Sequence, residues 1–92
     1  MTNFVIKKDG TKVPFDSEKI KSAIVMAASE AGLSDDEKND IAEKVSSSVV
    51  MAFEDKEEVL STEIKNKILS ELDASFPVVS EAWRKYEQTK SE

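Results

Sequence analysis

The chain has 92 residues, 39 % hydrophobic and 35 % charged, with only two Gly and two Pro, which suits one compact, helix-rich domain with a modest core. It contains no Cys and no His, which removes the usual zinc ligands, thiol and imidazole catalysis, and the histidine-activated serine. The net charge of −6 splits into +2 over residues 1–22 (five Lys against Asp9, Asp16 and Glu18) and −8 over the remainder, a positive end on an acidic body that suits a small anion and argues against nucleic acid.

The first predicted element is a β-hairpin. Phe4-Val5-Ile6 and Lys12-Val13-Pro14-Phe15 flank Asp9-Gly10, and Asp-Gly between apolar runs is the signal for a two-residue type I′ turn. In that register Lys8 faces Thr11, Lys7 faces Lys12, Ile6 faces Val13 and Phe4 faces Phe15. Phe4, Ile6, Val13 and Phe15 would then cover the core, leaving Val5, Pro14 and the opposed Lys7 and Lys12 on the other face. Two readings of that opposition stand. The lysines splay into solvent, where exposed charges interact weakly, or an anion lies over the hairpin and turns repulsion into binding.

A first helix is predicted over 17–31, capped by Asp16 or Ser17, with Phe15 stapled against Ile20. Ile20, Ala23, Ile24, Ala27, Ala28 and Ala31 recur at helical spacing, and Gly32 is the expected stop. Lys19 in the first turn opposes the helix dipole, so amides there, beside Lys7, Lys8 and Lys19, form a plausible phosphate site. Val25 and Met26 widen the apolar surface, either as a second core contact or as a docking face.

Ser34-Asp35-Asp36-Glu37 is a capping box opening a helix from Asp35 to Ala52 or Phe53, with Ile41, Val45, Val49, Ala52 and Phe53 inward. Ser46-Ser47-Ser48 reads as small residues for packing. After a solvated connection over 54–58, Val59-Leu60 is a candidate third strand. Ser61 or Thr62 caps the third helix, with Ile64, Ile68, Leu69 and Leu72 inward. Ser61 and Lys65 stand one turn apart on it and can face one ligand. Phe76-Pro77 opens the last helix, whose inner stripe is Val79, Ala82, Trp83 and Tyr86, and residues 87–92 are expected to fray. No apolar run reaches the ~20 residues of a bilayer span and no signal-peptide core precedes the hairpin, so a cytoplasmic location and no membrane partner are expected.

Val-Ile-Lys-Lys-Asp-Gly (5–10), Val-Pro-Phe-Asp (13–16) and Lys19-Ile20 resemble the opening of the ATP-cone. That family is the nucleotide-binding regulatory domain of ribonucleotide reductases and of the repressor of their genes. The likeness extends to Ala82-Trp-Arg-Lys-Tyr86 and so covers nearly all of the chain as a single domain, 1–92, with a hairpin lid at 3–16 and helices over 17–86. It implies an α+β, mostly helical fold: a four-helix bundle capped by a hairpin or three-stranded sheet. It also implies that ATP or dATP, accompanied by Mg²⁺, sits between lid and bundle. The positions that match the family's binding pattern are Val5, Lys7, Lys8, Asp16, Lys19, Ser61 and Lys65. In those roles Lys7, Lys8 and Lys19 neutralise phosphates. Asp16 accepts from the exocyclic amine of adenine and Val5 packs on the base, while Ser61 and Lys65 reach the ribose or phosphates.

Four positions depart from the family. Lys8 replaces an Arg and loses the flat fork, Lys65 stands where some members have His, Val13 replaces an acid near the base, and Glu87 replaces a closing basic residue. The family senses ATP against dATP through oligomeric state, which requires two conformations that bind the two ligands unequally. The 92 residues hold no cysteine-rich ribbon, and the expectation is that no catalytic domain is attached. The expectation is thus a non-enzymatic cone acting in trans, through a homo-oligomer or a reductase subunit. The alternative is a protein–protein interaction module that keeps the fold and has weak or lost nucleotide binding. No Walker-type glycine-rich lysine loop is present to hydrolyse the nucleotide.

Overall fold

A computed structural model describes residues 2–89, with side chains through Tyr86. In chain order the elements are β1 (Phe4–Ile6), β2 (Lys12–Pro14), α1 (Ser17–Glu30), α2 (Asp35–Ala52), β3 (Glu58–Leu60), α3 (Ser61–Ser75) and α4 (Pro77–Thr89). The fold is mostly helical, four helices with one three-stranded mixed sheet ordered β2-β1-β3. The candidate third strand is present, parallel to β1. The tail expected over 87–92 begins in the last turn of α4; residues 90–92 and the side chain of Glu87 lie outside what is described.

The hairpin forms, but in a register one residue away from expectation: Phe4 faces Pro14, Val5 faces Val13 and Ile6 faces Lys12. A type I′ turn needs positive φ at Asp9 as well as at Gly10, and among the described residues only Gly10 and Gly32 have it. Asp9 instead accepts the Thr11 N–H on its Oδ1 at 2.9 Å, a local bond that suits Asp outside the left-handed region. Gly10, at φ 87°, takes the left-handed residue alone. The Gly10 N–H donates to the Lys7 carbonyl at 2.9 Å and the Lys7 N–H to the Thr11 carbonyl at 2.8 Å, closing a three-residue loop with a bulge rather than a two-residue one.

A slip of one residue turns β1 over relative to β2, while Val13 and Phe15 keep the inner side expected of them. Val5 packs on the core, with buried Val59 beside it in β3, while Phe4 and Ile6 alternate to the outer face. The opposed Lys7 and Lys12 are gone. The Lys12 ammonium lies 2.6 Å from Glu58 and 4.5 Å from the centre of the Phe4 ring, so it is spent on the outer face.

The helix ends follow their local chemistry. Asp16 caps α1 by accepting the Glu18 N–H at 3.0 Å. At the other end Gly32 has φ 83°, its N–H donates to Ser29 and that of Leu33 to Ala28, the paired bonds of a Schellman stop. Ser34 and Glu37 complete the capping box of α2. For α3 the expectation of a Ser61 or Thr62 cap does not hold: Leu60 is the N-cap and no side chain bonds there. The chain enters α3 directly from β3, which places Ser61 inside the first turn.

α1 packs against α2 and α4, and α3 against α2, α4 and β3. The buried cluster includes Ile24, Ala27 and Ala28 of α1, Ile41, Val45 and Val49 of α2, Ile64, Ile68 and Leu72 of α3, and Val79 and Trp83 of α4. Alanines facing the neighbouring helices allow close approach. Ser46 is buried as a packing residue, and Ser48 donates to Glu71 across α2 and α3. Val25 packs on the core and Met26 stays exposed; Ala52, expected inward, is exposed where α2 ends, and Phe53 and Leu69 are half-buried. Among the described residues no helix is long and apolar enough to cross a membrane.

Two carboxylates tie helices together and predict acid sensitivity. Arg84 of α4 donates to both oxygens of Asp73 of α3 at 3.0 and 2.8 Å, which holds the Asp73 carboxyl below the usual range. The hydrogen bond from Ser48, then that from Lys67, does the same for Glu71. A depressed folded pKa contributes stability that is fully present above the unfolded value of about 4 and is lost as pH falls through the folded value. Urea midpoints should therefore drop below about pH 4, and Asp73→Asn should flatten part of that drop. An identical acid slope in wild type and variant would remove the pair from the explanation.

Candidate functional site

A cavity of about 250 Å³ lies between the inner side of the hairpin, the start of α1, the start of α3 and the end of α4. Strand alternation sends Val5 and Lys7 to the same side, and both line it. The cap and first turn of α1 add Asp16 and Lys19, and the four-residue step on α3 adds Ser61 and Lys65. Six of the seven residues singled out in the sequence therefore meet here. Lys8 does not line the cavity; it is exposed in the hairpin loop, outside the strands.

Charge and shape divide the cavity into two parts. Lys7 and Lys19 are exposed at its edge and Lys65 is half-buried, against one carboxylate, Asp16. Part of that carboxylate is already engaged, since Oδ1 holds the first turn of α1. The start of α1 is thus answered by its own anion. The start of α3 has no side-chain cap, so no anion of the chain itself caps that end of the helix dipole as Asp16 does for α1. The inner wall is apolar, from Ile20, Ala23, Ile64 and Ile68, with Trp83 and Tyr86 added by α4.

Sequence reasoning assigned Trp83 and Tyr86 to the inner stripe and missed that they also line this cavity. Their three-residue spacing shows that they share a face, but only the packing of α4 against α1 and α3 shows what that face meets. The Trp83 Nε1–H is buried with no hydrogen-bond partner among the described residues.

Such an arrangement takes a flat apolar ring on the inner wall and a polyanion at the lysine edge. The volume falls below the roughly 300–1,000 Å³ of pockets that enclose a drug-sized ligand. A ligand with both parts would hold its charged end out toward Lys7 and Lys19. Among the described residues no group of three or more metal-ligating side chains gathers.

The sequence pattern of the ATP cone domain matches residues 3–92. Over 71 residues, 76 % of this chain, the sequence is 42 % identical to an anaerobic ribonucleoside-triphosphate reductase of Salmonella typhimurium (strain LT2). Over 35 residues, 38 % of the chain, it is 57 % identical to a protein of the same name from Escherichia coli (strain K12). The matched stretches span only 10 % and 5 % of those relatives.

Proposed function

Because the chain belongs to the ATP-cone family, we propose that it is a non-catalytic regulatory domain that binds ATP or dATP in the cavity under the hairpin. The carrying observation is that lysines from three separate elements, Lys7, Lys19 and Lys65, converge on one cavity with an apolar, aromatic wall. Nothing in folding calls for that convergence of like charge, and a polyphosphate would neutralise it. The base lies against Val5 and the α4 aromatics, with the second oxygen of Asp16 accepting from the exocyclic amine. The phosphates extend to the lysines and to the uncapped start of α3. Mg²⁺, where present, arrives on the phosphates.

In this reading the four helices act as a bundle that the hairpin caps. Occupancy by ATP or dATP is passed to a reductase, through oligomerisation of the domain or contact with a reductase subunit. The names of the relatives, both ribonucleoside-triphosphate reductases, support that connection, and a cytoplasmic location goes with it.

Calorimetric titration with ATP and dATP tests the proposal. Saturable binding is expected, weakened at least about tenfold by Lys7→Ala and distinctly less by Lys8→Ala. No heat at millimolar nucleotide, with circular dichroism intact, would overturn it in favour of a domain that only docks other proteins.

A further inference from the structure

A second cavity, about 430 Å³, lies between the start of α2 and the start of α4. Leu33, which lines it, follows the end of α1, and that helix begins at the lysine-lined cavity. With 14 residues, α1 separates the two by about 21 Å. The groove is apolar, from Leu33, Ile41, Phe76 and Val78, and carries Glu37, Asp40 and Glu81; among the described residues no basic side chain lines it. Val78 is 54 % exposed while its neighbour Val79 is fully buried. Val78 thus adds little to the core and, with half-buried Leu33 and Phe76, makes a contiguous apolar strip rather than a lone surface residue.

We propose that this groove docks a polypeptide segment of another protein that is apolar at its centre and flanked by lysine or arginine. Charge argues for that occupant. Glu37 is held by Ser34 in the capping box and Asp40 pairs with Lys44 at 3.1 Å, but the Asp40 pair is exposed and one turn apart on a helix. Such pairs are weak, so a cation on the partner can compete for the carboxylate. The body of a second copy of this chain fits poorly, because residues 23–92 carry −8 and would bring acid against acid. α4 joins the groove to the nucleotide cavity, with Pro77 and Val78 at one and Trp83 and Tyr86 at the other. The inference does not depend on nucleotide binding.

The test is an amide-resolved NMR titration of the full chain with two synthetic peptides that share an apolar centre, one flanked by arginines and the other by glutamates. The arginine peptide should shift Leu33, Ile41 and Val78 saturably. Val78→Glu should weaken it at least about tenfold, with circular dichroism unchanged because the site is exposed. Glu81→Lys should weaken it less. Three results would overturn the proposal: equal binding of both peptides, unsaturable shifts spread over the acidic surface, or concentration-dependent shifts at these residues with no peptide present, which would make a second copy the occupant.

Discussion

Lys65→Met should lower affinity for ATP by about ten- to a hundredfold, the largest loss from any single lysine at the site. A hydrogen bond to a charged group is worth about 1.5–3 kcal/mol, and each 1.4 kcal/mol is a factor of about ten. Lys65 is half-buried where Lys7 and Lys19 are exposed, so less of its attraction to phosphate is screened by salt and solvent. Methionine keeps the apolar stem of the side chain and removes only the charge. Urea unfolding of the variant separates a lost contact from a lost fold. Lys44→Met, whose lysine pairs with Asp40 on α2, is the control and should bind as the wild type does. Unchanged affinity in Lys65→Met beside saturable wild-type binding would place the nucleotide elsewhere.

The second large effect concerns the core. Leu72 is fully buried in the cluster that joins the four helices. Leu72→Ala should cost about 2–5 kcal/mol, the lost transfer free energy plus the cavity left behind. A domain of this size has roughly 5–14 kcal/mol to lose. The melting temperature should therefore fall by about 8–40 °C, since each kcal/mol moves a small domain about 4–8 °C. Met51→Ala is the comparison: Met51 is 71 % exposed, and its loss should stay within about 0.5 kcal/mol. Similar midpoints for the two variants would mean that α3 does not pack as described.

What could be read from the residues was whatever local chemistry decides. The Asp16 and Ser34 caps, the Gly32 stop and Pro77 at the head of α4 each act within one turn, and the helices begin and end where those signals stand. The hairpin register was not readable because Asp9-Gly10 supports two loops that differ by one residue, and the choice turned on an Asp9 side-chain bond. The convergence of Val5, Lys7, Asp16, Lys19, Ser61 and Lys65 followed from a family likeness, since Ser61 and Lys65 are far from the hairpin in sequence. Local propensity likewise says nothing of Trp83 and Tyr86 at the cavity wall, because a helix stripe shows what is inward and not what it faces.

The central strand has one partner beside it in sequence and another beyond two intervening helices: Phe4 is registered with Glu58. Closing that long loop must precede the contacts that reward it, which points to a late step in the assembly of the sheet. Val5 and Lys7 are on one side of this closure and Ser61 and Lys65 on the other. A nucleotide bridging them should therefore act mainly after the rate-limiting barrier. In stopped-flow measurements it should lengthen the lifetime of the native state while leaving the speed of refolding nearly untouched.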